Sequence, residues 1–143
     1  MPRWHARFMT LANCAASWSK DANCKVGACL VSPDKRSFAF GYNGFPEGLA
    51  DDERPNKNAY TVHAEVNAII NARRDVSGWS LYCTKAPCFN CAKAILQAGI
   101  AQVVFPEPDE NSSWIDENNL ALAMFKEAKI VSYFVRGQDL ILI

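Results

Sequence analysis

The sequence has no excess of charge of either sign. Its 143 residues include 15 lysines and arginines and 15 aspartates and glutamates, which gives a formal net charge of 0 at pH 7. Nonspecific binding to a nucleic-acid polymer depends on lysines and arginines that neutralise phosphates, so this balance argues against a large polynucleotide surface. The expected partner is therefore a small molecule and not a nucleic-acid polymer.

A long apolar run and a signal-peptide pattern are also absent from the sequence. Without either, no membrane segment is expected, and the six cysteines are expected to be free thiols in a reducing compartment. That compartment is the cytoplasm, or the host cytoplasm if the source is a virus. Repeats and low-complexity segments are missing as well, and half of the residues are hydrophobic, so residues 1–143 are predicted to form one domain.

Histidine is scarce, but one of the two histidines belongs to the most informative pattern in the chain. His63 is followed two residues later by Glu65, and Cys88 and Cys91 follow further on in a Pro-Cys-x-x-Cys segment. One imidazole and two thiolates are a plausible set of zinc ligands. Cysteines three residues apart at a helix start lie on one face, near the electropositive end of the helix, which favours the thiolate form.

The same residues indicate a catalytic site and not a structural one. His63, Cys88 and Cys91 supply three ligands, whereas a structural zinc normally has four from the protein, so the fourth position is expected to be open beside Glu65. A closed site with Cys83 as the fourth ligand is the alternative. Cys83 lies in an apolar run that is predicted to be a strand, where a small buried hydrophobe explains it better. A redox pair of Cys88 and Cys91 would leave Glu65 unexplained.

The combination of His-x-Glu with Pro-Cys-x-x-Cys resembles the motif of the zinc-dependent nucleobase deaminases, and the similarity extends beyond this metal motif. Segments similar to the cytidine and deoxycytidylate (dCMP) deaminase family cover most of residues 17–105 in the family's order: Ser19-Lys20-Asp21, Val26-Gly27-Ala28, Gly41-Tyr42-Asn43-Gly44-Phe45-Pro46, His63-Ala64-Glu65-Val66-Asn67-Ala68-Ile69 and Gln97-Ala98-Gly99-Ile100. The resemblance implies hydrolysis of dCMP to dUMP and ammonia, which supplies dUMP for thymidylate synthesis. Zinc would activate the water, and Glu65 would transfer the proton.

The resemblance also implies the substrate contacts. Asn43 is expected to hydrogen-bond the nucleoside, although an Asn-Gly pair is also simply a good turn. The backbone amide of Ala64 is expected to meet the O2 atom of the base. Phosphate contacts are expected near Asn23 and at Trp114, which stands where relatives carry an aromatic hydroxyl and which cannot replace a phenol group for group.

Regulation and assembly are further implications of the resemblance. Many deaminases of this kind are hexamers that dCTP activates and dTTP inhibits, with Mg²⁺ on the triphosphate. The segment Gly44, Phe45 and Pro46 lies where their effector binds near a subunit boundary. A regulated homohexamer is therefore the expectation, and the alternative is a constitutive enzyme whose Phe45 packs on its own core. The loop over 43–60 contains no histidine or cysteine, so no second zinc is expected.

The pattern of apolar residues predicts an α/β fold. Helices are predicted over 3–18, 61–74, 88–97 and about 113–128, and strands over 25–31, 37–42, 79–83, 101–105 and 130–135. Ile70 is predicted to face the core. The first two strands form a hairpin, and the later strand-helix-strand units imply parallel crossovers. This arrangement agrees with the three-layer cytidine-deaminase-like fold that the resemblance implies, a mixed five-stranded sheet with helices on both faces and the last two strands parallel.

Three rival functions remain open. A tRNA adenosine deaminase shares the zinc motif, but the neutral charge and the segment from Gly41 to Pro46 argue against it. A deaminase of riboflavin precursors is closer in chemistry. The Asn67-Ala68-Ile69 segment that follows the zinc motif argues against it, so it is the second choice. A structural zinc module without enzymatic activity is the third.

Overall fold

Six strands form one mixed sheet in the computed structural model, which describes all residues from 1 to 143. The strands are β1 (Gly27–Val31), β2 (Phe38–Tyr42), β3 (Ser80–Cys83), β4 (Gln102–Pro106), β5 (Val131–Arg136) and β6 (Asp139–Leu142). Their order across the sheet is β2-β1-β3-β4-β5-β6. The β3–β4 and β4–β5 pairs are parallel, and the other three pairs are antiparallel.

Helices cover both faces of this sheet. They are α1 (Arg3–Ala16), α2 (Lys57–Tyr60), α3 (Ala64–Ala72), α4 (Phe89–Gln97) and α5 (Ile115–Glu127). On one face, α1 packs on the side chains of Cys29 and Val31. On the other face, α3, α4 and α5 pack in a larger core that includes Ala28 and Leu30. Alternate side chains of β1 thus pack in the cores on opposite faces of the sheet, which explains why the whole strand is buried.

All five predicted strands are present, within two residues of their predicted ends. The predicted parallel pair of last strands is confirmed as β4 and β5. The predicted count of five strands is wrong by one, because β6 returns along β5 and makes the actual last pair antiparallel. A tight hairpin makes this return possible: Arg136 pairs with Asp139, and between them Gly137 has a φ of 58°, a conformation that glycine adopts without steric cost.

Helix α3 begins three residues later than predicted, and this delay positions the site. Val62 exchanges two backbone hydrogen bonds with Gly44, at N–O distances of 2.8 and 3.2 Å, so it cannot also continue a helix. His63 is consequently the N-cap residue, and Glu65 lies in the first turn. The inward orientation predicted for Ile70 is wrong, since this residue is 58% exposed. Ala64 and Ala68, four residues apart, form the buried face of α3 instead.

Glycine allows two helices to approach the sheet closely. A Cβ atom on Gly41 of β2 would lie 2.3 Å from the carbonyl oxygen of Ala64 and 2.3 Å from the amide nitrogen of Ala68. A Cβ atom on Gly27 of β1 would lie 2.1 Å from the carbonyl oxygen of Ala12 in α1. The absence of a side chain at these two positions therefore sets the distance between each helix and the sheet.

The outer edge of β2 is covered by side chains of α3. The amide of Asn67 donates to the carbonyl of Tyr42, and the amide of Asn71 donates to the carbonyl of Phe40, each at 2.8 Å. The spacings match, since four helical residues rise by about 6 Å and two strand residues by about 6.7 Å. None of the helices is both long enough and apolar enough to cross a membrane.

Candidate active site

The N-termini of α3 and α4 bring the predicted metal ligands together. His63 caps α3, Cys88 caps α4, and Cys91 lies in the first turn of α4. The Nδ1 atom of His63 is 3.2 Å from the Sγ atom of Cys91 and 3.5 Å from that of Cys88. All three potential ligand atoms lie within 4.8 Å of one another. The predicted convergence of these residues is confirmed.

The three donors fit a tetrahedral zinc in chemistry and in spacing. Zn–N and Zn–S bonds of about 2.0–2.3 Å imply donor–donor edges of roughly 3.5–3.8 Å in a tetrahedron. The neighbouring Cys91 thiol, together with His63, lowers the pKa of Cys88 to about 4. The adjacent Cys88 and burial raise the pKa of Cys91. The Cys88 thiol therefore loses its proton more readily than the Cys91 thiol, and both must be thiolates when they bind a metal.

Glu65 lies beside this cluster and is buried, with 4% of its surface exposed. Its Oε1 atom accepts a hydrogen bond from the Cys83 thiol at an S–O distance of 2.8 Å. Burial raises the pKa of Cys83 well above its usual value, so this thiol remains protonated and can donate. Cys83 therefore contacts the carboxylate and lies outside the cluster of His63, Cys88 and Cys91. The geometry favours the open site over the closed one.

Replacing Cys83 with alanine is expected to leave the zinc content at one per chain. Turnover should fall only several-fold, because the carboxylate of Glu65 loses one hydrogen-bond donor but keeps its place on α3. Metal analysis of the purified variant tests this, with Cys29→Ala as the matched control that removes a buried thiol from the opposite face of the sheet. Loss of zinc in Cys83→Ala alone would identify Cys83 as a fourth ligand.

A pocket of about 230 Å³ opens onto the cluster. It is lined by residues from the α1–β1 loop, the segment between β2 and α3 that includes α2, the N-terminus of α3, the β3–α4 loop and the start of α5. These include every residue predicted to bind metal or substrate except Cys91. The lining residues are Asp21, Asn23, Cys24, Val26, Asn43, Lys57, Asn58, Thr61, His63, Ala64, Glu65, Lys85, Ala86, Cys88, Trp114 and Asn118. Residues separated by most of the chain thus meet at one cavity.

The predicted substrate residues occupy different positions in this pocket. Asn43 is buried, accepts from the amide of Val26 at 2.9 Å and donates to the carbonyl of Cys24 at 2.8 Å. Its side chain thus joins the end of β2 to the α1–β1 loop and keeps one N–H free. Ala64 is the first residue of α3, and its amide has no partner within the helix. Asn23 lies at the rim, exposed. Trp114 stands edge-on to His63, with ring centroids 6.1 Å apart.

The predicted effector segment lies beside a second cavity of about 450 Å³. Gly44 and Phe45 line it, whereas Pro46 does not. Phe45 packs edge-on against Tyr60, with centroids 6.4 Å apart, and the Arg54 guanidinium lies 4.9 Å from the centre of each ring. Phe45 is therefore half-buried by its own chain. The second cavity shares Asp21, Asn23, Lys57 and Thr61 with the first.

Two polar contacts at the site were not predicted from the sequence. Asn118 of α5 is buried and donates to the carbonyls of Ala86 and Pro87 at 3.2 and 3.0 Å, which fixes the loop before Cys88. The thiol of Cys83 contacts Glu65, as described above. Both contacts join residues that are far apart in the chain, so no local sequence pattern predicts them.

The chain matches the family described as the cytidine and deoxycytidylate deaminase zinc-binding region over residues 2–107. It is 40% identical to an uncharacterized deaminase of Aliivibrio fischeri over 134 residues, which cover 90% of each chain. It is also 40% identical to the human deoxycytidylate deaminase over 138 residues, which cover 89% of this chain and 76% of the human protein.

Solved structures show the same architecture. The apo crystal structure of the dCMP deaminase from cyanophage S-TIM5 matches with a TM-score of 0.74 and 26% identity, over 92% of this chain and 97% of the phage chain. The structure of the same phage enzyme in complex with dCMP and dUMP matches with a TM-score of 0.71 and 29% identity, over 87% and 93% of the two chains.

Proposed function

The chain belongs to the cytidine and deoxycytidylate deaminase family, and we propose that it is a zinc-dependent hydrolase that converts dCMP and water to dUMP and ammonia. The observation that carries the proposal is the buried carboxylate of Glu65 beside a cluster of only three metal ligands, at the base of a pocket. A structural zinc module would need a fourth ligand and would have no use for that carboxylate. The product dUMP is the precursor that thymidylate synthesis consumes.

Each residue of the cluster has one task in this reaction. His63, Cys88 and Cys91 would hold the zinc, a Lewis acid that would make water a nucleophile near neutral pH. Glu65 accepts the proton of the attacking water and delivers it to N3 of the cytosine. It then transfers a second proton to the amino group that leaves C4 as ammonia. One carboxylate thus acts first as a base and then as an acid, and its burial keeps bulk water from competing for the proton.

The remaining lining residues orient the nucleotide. The free amide of Ala64 donates to O2 of the base, and the unused N–H of Asn43 contacts the nucleoside. Asn23 and Trp114, which both line the pocket, are assigned to the phosphate. Binding of the remote phosphate places the base against Glu65, so the free nucleoside is expected to be a poor substrate.

The substrate assignment can be tested with one set of assays. Purified protein is offered dCMP, dCTP, deoxycytidine, a riboflavin precursor and an adenosine stem-loop, and release of ammonia is followed. We expect the largest kcat/KM for dCMP. An equal kcat/KM for deoxycytidine would contradict the role of the phosphate. A preference for the stem-loop or the riboflavin precursor would instead identify the protein as a tRNA adenosine deaminase or a riboflavin-precursor deaminase.

We also propose that the enzyme is a homohexamer in the cytoplasm, activated by dCTP and inhibited by dTTP with Mg²⁺. The second cavity supports the regulation by triphosphates, because it lies against Gly44 and Phe45 and shares four residues with the catalytic pocket. An effector bound there would act only through its different affinities for two arrangements of the shared residues. The six unpaired cysteines suit a reducing compartment.

Initial rates against dCMP concentration, with and without each triphosphate and Mg²⁺, test the regulation. Sigmoidal curves that dCTP makes hyperbolic are the expected result, and sedimentation should give the mass of six chains. Hyperbolic curves that neither triphosphate changes would exclude regulation, and Phe45 would then only pack on Tyr60 and Arg54.

A further inference from the structure

Two lysines line the catalytic pocket, and only one of them has a charge that is free to meet a ligand. Lys57 donates to Asp21 at an N–O distance of 2.9 Å, and this carboxylate is only 13% exposed. Asp21 also accepts from the backbone amides of Asn23 and Cys24, at 2.9 and 3.0 Å. The Lys57–Asp21 pair is therefore part of the scaffold that shapes the loop, and its net charge is close to zero.

Lys85 differs from Lys57 because it takes part in no ion pair. It lies in the loop between β3 and α4 and is partly exposed. Its ammonium is 3.8 Å from the Sγ atom of Cys24 and 5.6 Å from the ring centre of Trp114. Neither neighbour is a carboxylate, so they hold the side chain in the pocket wall without forming an ion pair with it.

The neighbours of this ammonium are, or adjoin in sequence, the residues proposed to face the phosphate of the substrate. Cys24 follows Asn23 in the chain, and Trp114 is the N-cap residue of α5 and also lines the pocket. Lys85 therefore lies close to Trp114 and to the neighbour of Asn23, the two residues proposed to contact the phosphate. A nucleoside 5′-monophosphate carries almost two negative charges near neutral pH, and a lysine ammonium is a common point-charge partner for phosphate.

We infer that Lys85 is the specificity-determining residue that binds the 5′-phosphate and makes this enzyme prefer a nucleotide to a free nucleoside. This inference rests on the proposed function, because it names the cation that the proposed substrate requires. Lys57 is excluded from that role by its carboxylate partner. The remaining ionisable lining residues are the acidic residues Asp21 and Glu65 and the predicted metal ligands, so no other basic side chain except Lys57 lines the pocket beside Lys85 and His63.

The test compares dCMP with deoxycytidine in wild type, Lys85→Gln and Lys85→Arg. We expect Lys85→Gln to lower kcat/KM for dCMP by at least thirtyfold, mainly through KM, and to change kcat/KM for deoxycytidine by less than threefold. Lys85→Arg should recover most of the activity toward dCMP, because it restores the positive charge. Calorimetric binding of dUMP should weaken in parallel in Lys85→Gln.

The matched control is Lys93→Gln, since Lys93 also lies over an aromatic ring, at 5.5 Å from the centre of Phe89, but is exposed outside the pocket. Its kinetics should equal those of wild type. Equal losses for both substrates in Lys85→Gln, or unchanged dUMP binding, would overturn the assignment of Lys85. A wild-type enzyme that does not prefer dCMP to deoxycytidine would instead refute the proposed substrate.

Discussion

Replacing Glu65 with glutamine is expected to reduce kcat for dCMP by a factor of about 10² to 10⁴ while zinc and fold remain in place. Glutamine has nearly the same shape and can still accept the hydrogen bond that Cys83 donates. Its amide, however, cannot take a proton from water and return it to the base. The loss should therefore appear in kcat and only weakly in KM.

Three measurements on Glu65→Gln separate this role from a structural one: steady-state kinetics, zinc content and thermal unfolding. Glu127→Gln is a suitable control, because Glu127 is the exposed last residue of α5 and does not line the pocket. Near-normal turnover in Glu65→Gln would remove this carboxylate from the mechanism. Loss of zinc would instead mean that Glu65 supports the metal site.

The second large effect is expected at Gly41, where alanine should destabilise the fold severely. The added Cβ would lie 2.3 Å from two backbone atoms of α3, which cannot rotate away as the end of a side chain can. Overpacking in a core typically costs about 1–3 kcal/mol, and a clash with backbone should reach the upper end or exceed it. At roughly 2–4 °C per kcal/mol for a domain of this size, Tm should fall by about 10 °C.

Gly44→Ala provides the matched control for this substitution. Gly44 lies three residues away, its φ is outside the left-handed region, and a Cβ atom there would have no neighbour within 4 Å. Its Tm should therefore stay within a degree or two of wild type. A similar loss of stability in both variants would mean that the close approach of α3 to β2 is not what glycine provides at position 41.

The metal ligands could be predicted from the sequence because their signal is local. The spacing of two residues between His63 and Glu65, and of three between Cys88 and Cys91, encodes what each helix start contributes. The strands followed from short apolar runs with turn residues between them. The start of α3 could not be predicted in the same way, because the backbone bridge between Val62 and Gly44 sets it. Helix propensity depends on neighbouring residues and carries no information about that long-range contact.

The rest of the site depends on contacts between distant parts of the chain. Cys83 has the sequence context of an ordinary buried strand residue, and only the packing of α3 on the sheet reveals that its thiol faces Glu65. Lys57 and Lys85 are equivalent by type, and only the position of Asp21 separates the paired lysine from the unpaired one. Local patterns thus predict the chemistry of the centre, whereas the substrate end requires the tertiary structure.

The asparagines of α3 have a consequence for how copies of this protein can meet. An edge strand with free carbonyls can recruit a strand from another molecule and extend the sheet into aggregates. The amides of Asn67 and Asn71 already occupy the carbonyls of Tyr42 and Phe40 that such a strand would need. Sheet extension between molecules is therefore blocked at β2, and the helix that carries Glu65 also protects the protein against growth of a continuous intermolecular sheet along that edge.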